Sequence, residues 1–504
     1  MNNQILIFNP KSANAKHRIP NSILQVGASI YGVYEFVFVD GNLENDPWEK
    51  IDSYFQSGNF KYFCSTVMPG PQLRQAIPFT KKIKEKYPDC ITIWGGYFAS
   101  NQYQVSISSG FVDYVINGPG DIAFPSLIRV LEDNNHAEIS TIKNLIFKNE
   151  EGEIIKTAKE ELLDQDSLPK LPYQHLNSFY NLENYLSKTF LGRNTFSYHS
   201  SLGCPFTCSF CAVVPIYKGR WKAKSAESVY KDVKYFKDTY RIEAIEFHDN
   251  NFFTSRKRVI EFSELIKNDG ITWWGEGRID TINKYSDADL ILMKEAGCKM
   301  IFLGAETGND EILKQMNKGG TQTGESIKQF VKRLYPIGII PELSFVLGMP
   351  AETPEKVMAQ IEWDINFIKE VKQINPDAEI IIYLYSPVAT EGSELYEQIQ
   401  KAGFSFPKNL EDWLAPAWEN FDLRKNNYNL DFKFCRFPYS PNMSETIMNF
   451  KRLENNWFDW DCPNYLKWRK TLVEKTIWEG EQRGFDGLGY VKYLEQSGCK
   501  HISF

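Results

Sequence analysis

Apolar and polar positions alternate in blocks along the first 125 residues. Short apolar runs at 5–8 (ILIF), 34–39 (YEFVFV), 61–66 (KYFCST), 91–94 (ITIW) and 113–116 (DYVI) are separated by polar, helix-compatible segments. Runs of this length between helix-length segments predict a parallel sheet built from βαβ units. Each run ends in small or polar residues: Asn9, Asp40-Gly41, Ser65-Thr66, Gly95-Gly96 and Asn117-Gly118. Ligands of open parallel sheets sit outside the carboxyl ends of the strands, so these tips form the expected binding rim.

Residues 126–190 break the pattern. They read as a small hairpin (IFKNEEGEIIKT) followed by a linker, in which Pro169 and Pro172 disfavour helix. From about 195 the alternation returns, with strand runs at 196–201, 244–248, 271–276, 300–306, 342–348 and 379–385. Between them lie helical patterns such as 225–240, which opens on a serine suited to the N-cap. Six βα units are too few for an eight-fold barrel and too many for a small doubly wound domain, so a partial (β/α)6 barrel of the TIM type is expected. The class is therefore α/β, with an N-terminal doubly wound, Rossmann-like parallel sheet (1–140), a hairpin and linker (141–190), the partial barrel (191–400) and a small C-terminal domain (401–504). That last segment is rich in Trp, Phe and Tyr and is expected to cap the barrel and contact substrate.

With 504 residues the chain calls for more than one core, consistent with this division. A net charge of -7 argues against a sequence-independent grip on nucleic acid, which needs a basic face. No apolar stretch approaches the length that spans a bilayer, and the opening MNNQILIFNPKS lacks the basic and apolar regions of a secretory signal. A cytoplasmic protein without membrane or nucleic-acid partners is expected. Nine cysteines, an odd number at irregular spacing, do not form a disulfide framework.

Three of the nine, Cys204, Cys208 and Cys211, fall within eight residues on the loop after the first barrel strand. Thiolates at this spacing converge on one centre, and soft sulfur selects zinc or an iron–sulfur cluster. Structural zinc wants four protein ligands, yet the next cysteine is Cys298 and the closest downstream histidine His248. Three ligands leave one coordination position open for a substrate or cosubstrate.

The segment SLGCPFTCSFCAVV, with Phe210 before the last cysteine, resembles the signature of the radical S-adenosylmethionine (SAM) superfamily. The resemblance covers roughly residues 195–400. It implies a 4Fe-4S cluster on the three cysteines, whose open iron chelates the amino and carboxylate groups of SAM, and cleavage of SAM to a 5′-deoxyadenosyl radical. Matching residues follow in order along the barrel. EFHDNNFF resembles the acidic turn that holds the methionine amino group, giving Asp249 and Asn250. WWGEGRID places Arg278 near the carboxylate, GAETGNDEIL places Glu306 at the nucleoside, FVLGMPAET places Val346 and Gly348 near the adenine, and IIIYLYSPVATEG adds Tyr385 there.

The N-terminal region resembles the cobalamin-binding domain fused to many such enzymes, through TVMPGPQLRQA, WGGYFAS and VDYVINGPGDIAFPSL. It implies cobalamin contacts from Ser65, Thr66, Gly95, Gly96, Ser100, Asn117 and Gly118. The D-x-H-x-x-G signature that supplies an axial histidine is absent, so a corrin here lacks a histidine ligand from that loop. Phe98 stands where relatives often carry histidine, and Gly118-Pro119-Gly120-Asp121 where they often show Gly-Glu-Gly-Glu. The implied activity is methyl transfer to an unactivated carbon of a small-molecule substrate, with a flavodoxin- or ferredoxin-type electron donor. Oxidative cyclisation or rearrangement on the same architecture, and a non-catalytic corrinoid or iron–sulfur protein, are the alternatives.

Overall fold

The computed structural model describes residues 4–12, 17–318, 322–349, 351, 354–385, 388, 394–401 and 405–415. From residue 416 onward the expected C-terminal domain lies outside the described residues, with Cys435, Cys462 and Cys499. The chain forms two compact units. The first gathers residues up to 185 with 212–223 and the stretch from 406; the second gathers 186–211 and the stretch from 224 to 405.

The first unit is built on strands β1 (Gln4–Asn9), β2 (Phe36–Asp40), β3 (Phe60–Thr66), β4 (Ile91–Gly95) and β5 (Tyr114–Ile116), parallel in the order β2-β1-β3-β4-β5. These are the five apolar runs of the sequence. Each is buried because helices cover the sheet, and one apolar cluster joins Leu6, Phe8, Val39 and Phe63 to Ile51, Phe55 and Ile83 of the flanking helices. The hairpin is present as β6 (Leu145–Lys148) and β7 (Ile154–Lys156), and it extends the same sheet antiparallel beyond β5, a placement the local pattern did not contain.

Two distant segments complete this unit. Asn101 donates its side-chain amide to the carbonyl of Ala212 at 3.2 Å, and Tyr217 is buried. Trp413, 3% exposed, packs edge-on against Phe98 at 4.9 Å, while Lys81 pairs with Glu411 at 3.1 Å. Strand β10 (Trp221–Ala223) belongs to the first of these segments.

The second unit carries β8 (Thr195–Tyr198), β11 (Ala244–Phe247), β12 (Thr272–Gly277), β13 (Cys298–Glu306), β14 (Ile340–Leu347) and β15 (Glu379–Leu384), all parallel and neighbours in that order, with the short β9 (Ser201–Gly203) after β8. Six βα units make the partial barrel that the run spacing predicts. The helix Ala226–Tyr240 starts where expected, with the Ser225 hydroxyl accepting from the Ser228 amide. Its Phe236 stacks on Phe196 of β8 at 3.9 Å, and Phe247, Phe252, Phe262 and Trp273 pack together beside it. Among the described residues, no helix is long and apolar enough to cross a membrane.

Candidate active site at the cysteine loop

Chain geometry brings the three thiols to the carboxyl end of the barrel sheet, and side chains from other strands hold them there. Asp249, directly after β11, is fully buried, and its carboxylate accepts from the Ser200 amide at 3.1 Å, the Ser200 hydroxyl at 2.9 Å and the Ser201 hydroxyl. It thereby pins the chain between β8 and β9, three residues ahead of Cys204. Further along, the loop is stapled to residues 315–317. The Ser209 amide donates to the Met316 carbonyl at 3.0 Å, the Ser209 hydroxyl to the Gln315 carbonyl at 2.9 Å, and the Asn317 amide to the Thr207 carbonyl at 2.9 Å. Within the loop, the Cys211 amide donates to the Cys208 carbonyl at 3.1 Å.

Arg278, just past β12 and 5% exposed, organises the charge. Its guanidinium donates to the Cys208 sulfur at 3.0 Å, makes a two-pronged pair with Asp280 at 2.9 and 2.7 Å, reaches the Lys318 carbonyl and lies 3.9 Å above the Phe206 ring. Lys318, 4% exposed, pairs with Glu306 at 3.0 Å. Glu306 ends β13 with a φ of 64°, where the register with β14 shifts. A left-handed glutamate in a buried bulge is strained backbone, a feature that clusters at functional sites. Burial pushes the Cys204 thiol up, while the Phe206 amide, Arg278 and Lys318 pull it down. A thiol so placed gives up its proton when metal arrives.

The residues after Glu306 are fixed by Asp364, which accepts from the Thr307 hydroxyl at 2.6 Å and the Gly308 amide at 3.1 Å. Burial pushes the Asp364 carboxyl from its ordinary 3.8 up to about 6, against the lowering effect of those two bonds. Its favourable contribution is complete below the unfolded value and is lost as pH rises through about 6. Asp364→Asn, which keeps both acceptor bonds, is therefore expected to stabilise the barrel at pH 7 by up to roughly 3 kcal/mol and to change almost nothing at about pH 3. Urea unfolding at the two pH values measures the difference.

The remaining residues singled out in the sequence fall as follows. Asn250 is half-buried beside Asp249, and Phe210 is half-buried in the cysteine loop. Asp249, named from the sequence for the methionine amino group, also ties the loop to the end of β11 through its bonds from Ser200 and Ser201. Neighbouring Asn251 is fully buried, and neither of its side-chain polar atoms has a hydrogen-bond partner among the described residues. Val346 and Gly348 stand at the end of β14, and Tyr385 follows β15 with its amide on the Leu347 carbonyl at 2.8 Å. Gly348 has a φ of 76° and open space where a side chain would be.

In the first unit, Ser65, Thr66, Ser100 and Asn117 are buried and Gly95, Gly96 and Gly118 half-buried, all at or just beyond the tips of β3, β4 and β5. Gly96 is required: its φ is 95° and a Cβ would meet the Val67 carbonyl at 2.7 Å. Exposed Met68 and Ile122 stand beyond β3 and β5. The tips of β1 and β2 are tied up instead. Asp40 accepts from Asn9 at 3.1 Å and Tyr185 at 2.9 Å, and its amide donates to the Tyr180 hydroxyl at 3.0 Å.

Sequence reasoning missed Asp280, Lys318, Gln322 and Asn317. Gln322 donates to the Gly304 and Ala305 carbonyls freed at the bulge, while its own oxygen is buried and has no hydrogen-bond partner among the described residues. Also missed was a polar group on β11, β12 and β14. His248 lies 3.1 Å from Glu246 and 3.7 Å from Glu276, and the Trp274 indole donates to Glu342 at 2.8 Å.

Among the described residues, no three His, Cys, Asp or Glu side chains gather as a site for one metal ion. Three thiols on one loop, with a buried arginine on one of them and a buried lysine close by, instead suit a larger, anionic, thiophilic group. Such a loop stands at the strand ends of a six-stranded parallel barrel, and an open α/β sheet precedes it in the chain. The family model of the radical SAM superfamily matches residues 198–363, the part of the chain that carries the cysteine loop and most of the barrel.

Among curated relatives, an uncharacterized methyltransferase of Pyrococcus horikoshii is 31% identical over 259 residues, 50% of this chain and 52% of that protein. The anaerobic magnesium-protoporphyrin IX monomethyl ester cyclase of Synechocystis is 23% identical over 60% of this chain and 57% of its own length. The chain thus spans little more than half of either. Among solved structures, the radical SAM methyltransferase TsrM from Kitasatospora setae, with tryptophan substrate and a SAM analogue bound, superposes with a TM-score of 0.62. It is 17% identical, over 80% of this chain and 77% of that one, a likeness of fold.

Proposed function

We propose that the chain is a cytoplasmic, cobalamin-dependent radical SAM enzyme that methylates an unactivated carbon of a small molecule. The observation that carries the reading is the pairing of the three-thiol loop, with Arg278 on Cys208, and an open sheet of order β2-β1-β3-β4-β5 whose β3–β5 tips carry small residues. When bound, the 4Fe-4S cluster supplies the electron that splits SAM, and cobalamin supplies a methyl carrier.

The chain's own residues do the rest. Cys204, Cys208 and Cys211 hold the cluster, and Arg278 and Lys318 offset its charge. Phe210, Asp249, Asn250, Arg278, Glu306, Val346, Gly348 and Tyr385, in the cysteine loop and at the strand ends, are the residues this reading assigns to SAM. Ser65, Thr66, Gly95, Gly96, Ser100, Asn117 and Gly118 let a flat macrocycle approach the backbone. Met68 and Ile122, exposed at the same rim, gain by being covered. The group His248, Glu246, Glu276, Trp274 and Glu342 offers hydrogen bonds to a substrate.

The test is anaerobic reconstitution followed by paramagnetic resonance with and without SAM, and assay of 5′-deoxyadenosine. A reduced-cluster signal that SAM leaves unchanged, with no 5′-deoxyadenosine formed, sinks the radical reading. Protein that takes up no hydroxocobalamin sinks the methyl-transfer reading. Oxidative cyclisation is the second reading, favoured by the similarity to the cyclase. A deuterated methyl donor separates the two by product mass.

A further inference from the structure

The inner face of the barrel is covered less than its outer face. Along β12, Thr272, Trp274 and Glu276 are half-buried and alternate with buried Trp273, Gly275 and Gly277. The buried set faces the helices, because Trp273 packs on Phe252 and Phe262 and a Cβ on Gly275 would meet Phe252 at 3.4 Å. Trp274 and Glu276 therefore point into the barrel, as strand alternation requires. Phe302 of β13 and Glu342 of β14 are half-buried in the same way. Interior layers of such barrels are ordinarily filled by branched apolar side chains. Here the inward side chains of three adjacent strands stay half-buried instead, among the described residues.

Strand register shows what lines this space. Tyr198, Phe247 and Gly275 are paired neighbours, so one residue further His199, His248 and Glu276 stand side by side. From Glu276 the pairing runs on through Phe302 and Glu342 to Glu379. One row thus crosses all six strands with two histidines, three glutamates and one phenylalanine. The His248 ring lies 6.1 Å from that of His199 and 5.3 Å from that of Trp274, which in turn lies 6.1 Å from Phe302. Glu246, deeper on β11, and Glu276 flank His248 at 3.1 and 3.7 Å, and Glu276 keeps 34% of its side chain exposed. Glu342 and Glu379 are paired on neighbouring strands, which run about 4.8 Å apart. Like charges set so close are relieved by a cation between them. The cations at the two ends of the space are engaged. Below it, the Lys299 ammonium lies on the Phe190 carbonyl at 3.3 Å and over the Phe190 ring at 4.5 Å. The segment before β8 crosses the amino end there, with the Thr272 hydroxyl on the Leu191 carbonyl at 2.8 Å. Above it, Arg278 pairs with Asp280 and Lys318 with Glu306.

We propose that the barrel interior takes a small molecule bearing a cationic nitrogen, a protonated or quaternary amine, seated among Glu276, Glu342 and Glu379 with its carbon skeleton on Trp274 and Phe302. This deepens the proposed function and rests on it, because the molecule in the barrel is the methyl acceptor. The carboxylates give charge and direction, and the faces of the aromatic rings attract the same cation. Neutral and anionic molecules of the same shape would desolvate the carboxylates without compensation and are rejected.

The test uses three probes of one shape and three charges: phenethylammonium, 2-phenylethanol and phenylacetate, titrated by calorimetry into the full chain with its cluster reconstituted. The ammonium is expected to bind about tenfold tighter than the alcohol or more, and the acetate not measurably. In Glu276→Gln/Glu342→Gln that preference falls to about twofold or less, whereas Glu264→Gln/Glu295→Gln, at exposed positions on the helices, keeps it. The same variants are titrated with SAM, itself a cation. Equal affinity for the three probes, or no binding of the ammonium at about 10 mM, overturns the proposal. Both outcomes are read on the unaltered chain, so they hold even where a variant fails to fold. A preference unchanged in the double variant, or lost equally in the control, also overturns it. So does a loss of SAM affinity as large as the loss of ammonium affinity, which assigns the carboxylates to the cosubstrate. None of these readings needs turnover. Charge selection without SAM cleavage refutes the proposed function and leaves the pocket standing, whereas SAM cleavage with the three probes bound alike refutes the pocket alone.

Discussion

Cys208→Ala is expected to bring iron content to background and to lower SAM cleavage by more than about a thousandfold, over 4 kcal/mol in barrier terms. Two remaining thiols on a short loop do not hold a cluster in place. The fold itself should survive, because Arg278 loses its bond to the Cys208 sulfur but keeps its two-pronged pair with Asp280. Cys435→Ala, at a position outside the described residues, is the control and should leave the cluster intact. Iron and sulfide analysis with a visible spectrum reads both variants. An equal loss in the two would mean that the C-terminal segment supplies a metal ligand.

Lys318→Met should destabilise the barrel more than any surface change, by about 3–5 kcal/mol, since it strands the Glu306 carboxylate in a buried site without its counter-charge. The double variant Glu306→Gln/Lys318→Met removes both charges and should recover most of that loss, because a buried pair is strongly destabilising to break and nearly neutral to replace. Urea unfolding of the two variants and the parent gives the coupling directly. If the single and double variants lose the same amount, the pair is not what holds the β13 bulge.

The sequence pattern reveals the two sheets because strand burial on both faces leaves continuous apolar runs, and it reveals the cysteine loop because ligand spacing is local. Asp280 and Lys318 do not show in the pattern, since a buried ion pair has no periodicity and depends on which loops meet. Asp249 meets the same limit: its bonds from Ser200 and Ser201, far away in the chain, leave no local signal. The assignment of 212–223 to the first unit was equally hidden, resting on contacts such as Asn101 to Ala212, far apart in the chain. The missing axial histidine, by contrast, is legible in the sequence alone.

The crossing of the chain between its two units bears on how the protein is made. The first unit draws on residues 212–223 and on Trp413, so its sheet can form early in translation while its last pieces are still unborn. Until more than four hundred residues have left the ribosome, Phe98 lacks its indole neighbour. Severing the gene between the units therefore should not yield two independent modules, and a ribosome stalled before residue 413 should display an N-terminal half more open to protease than the finished protein.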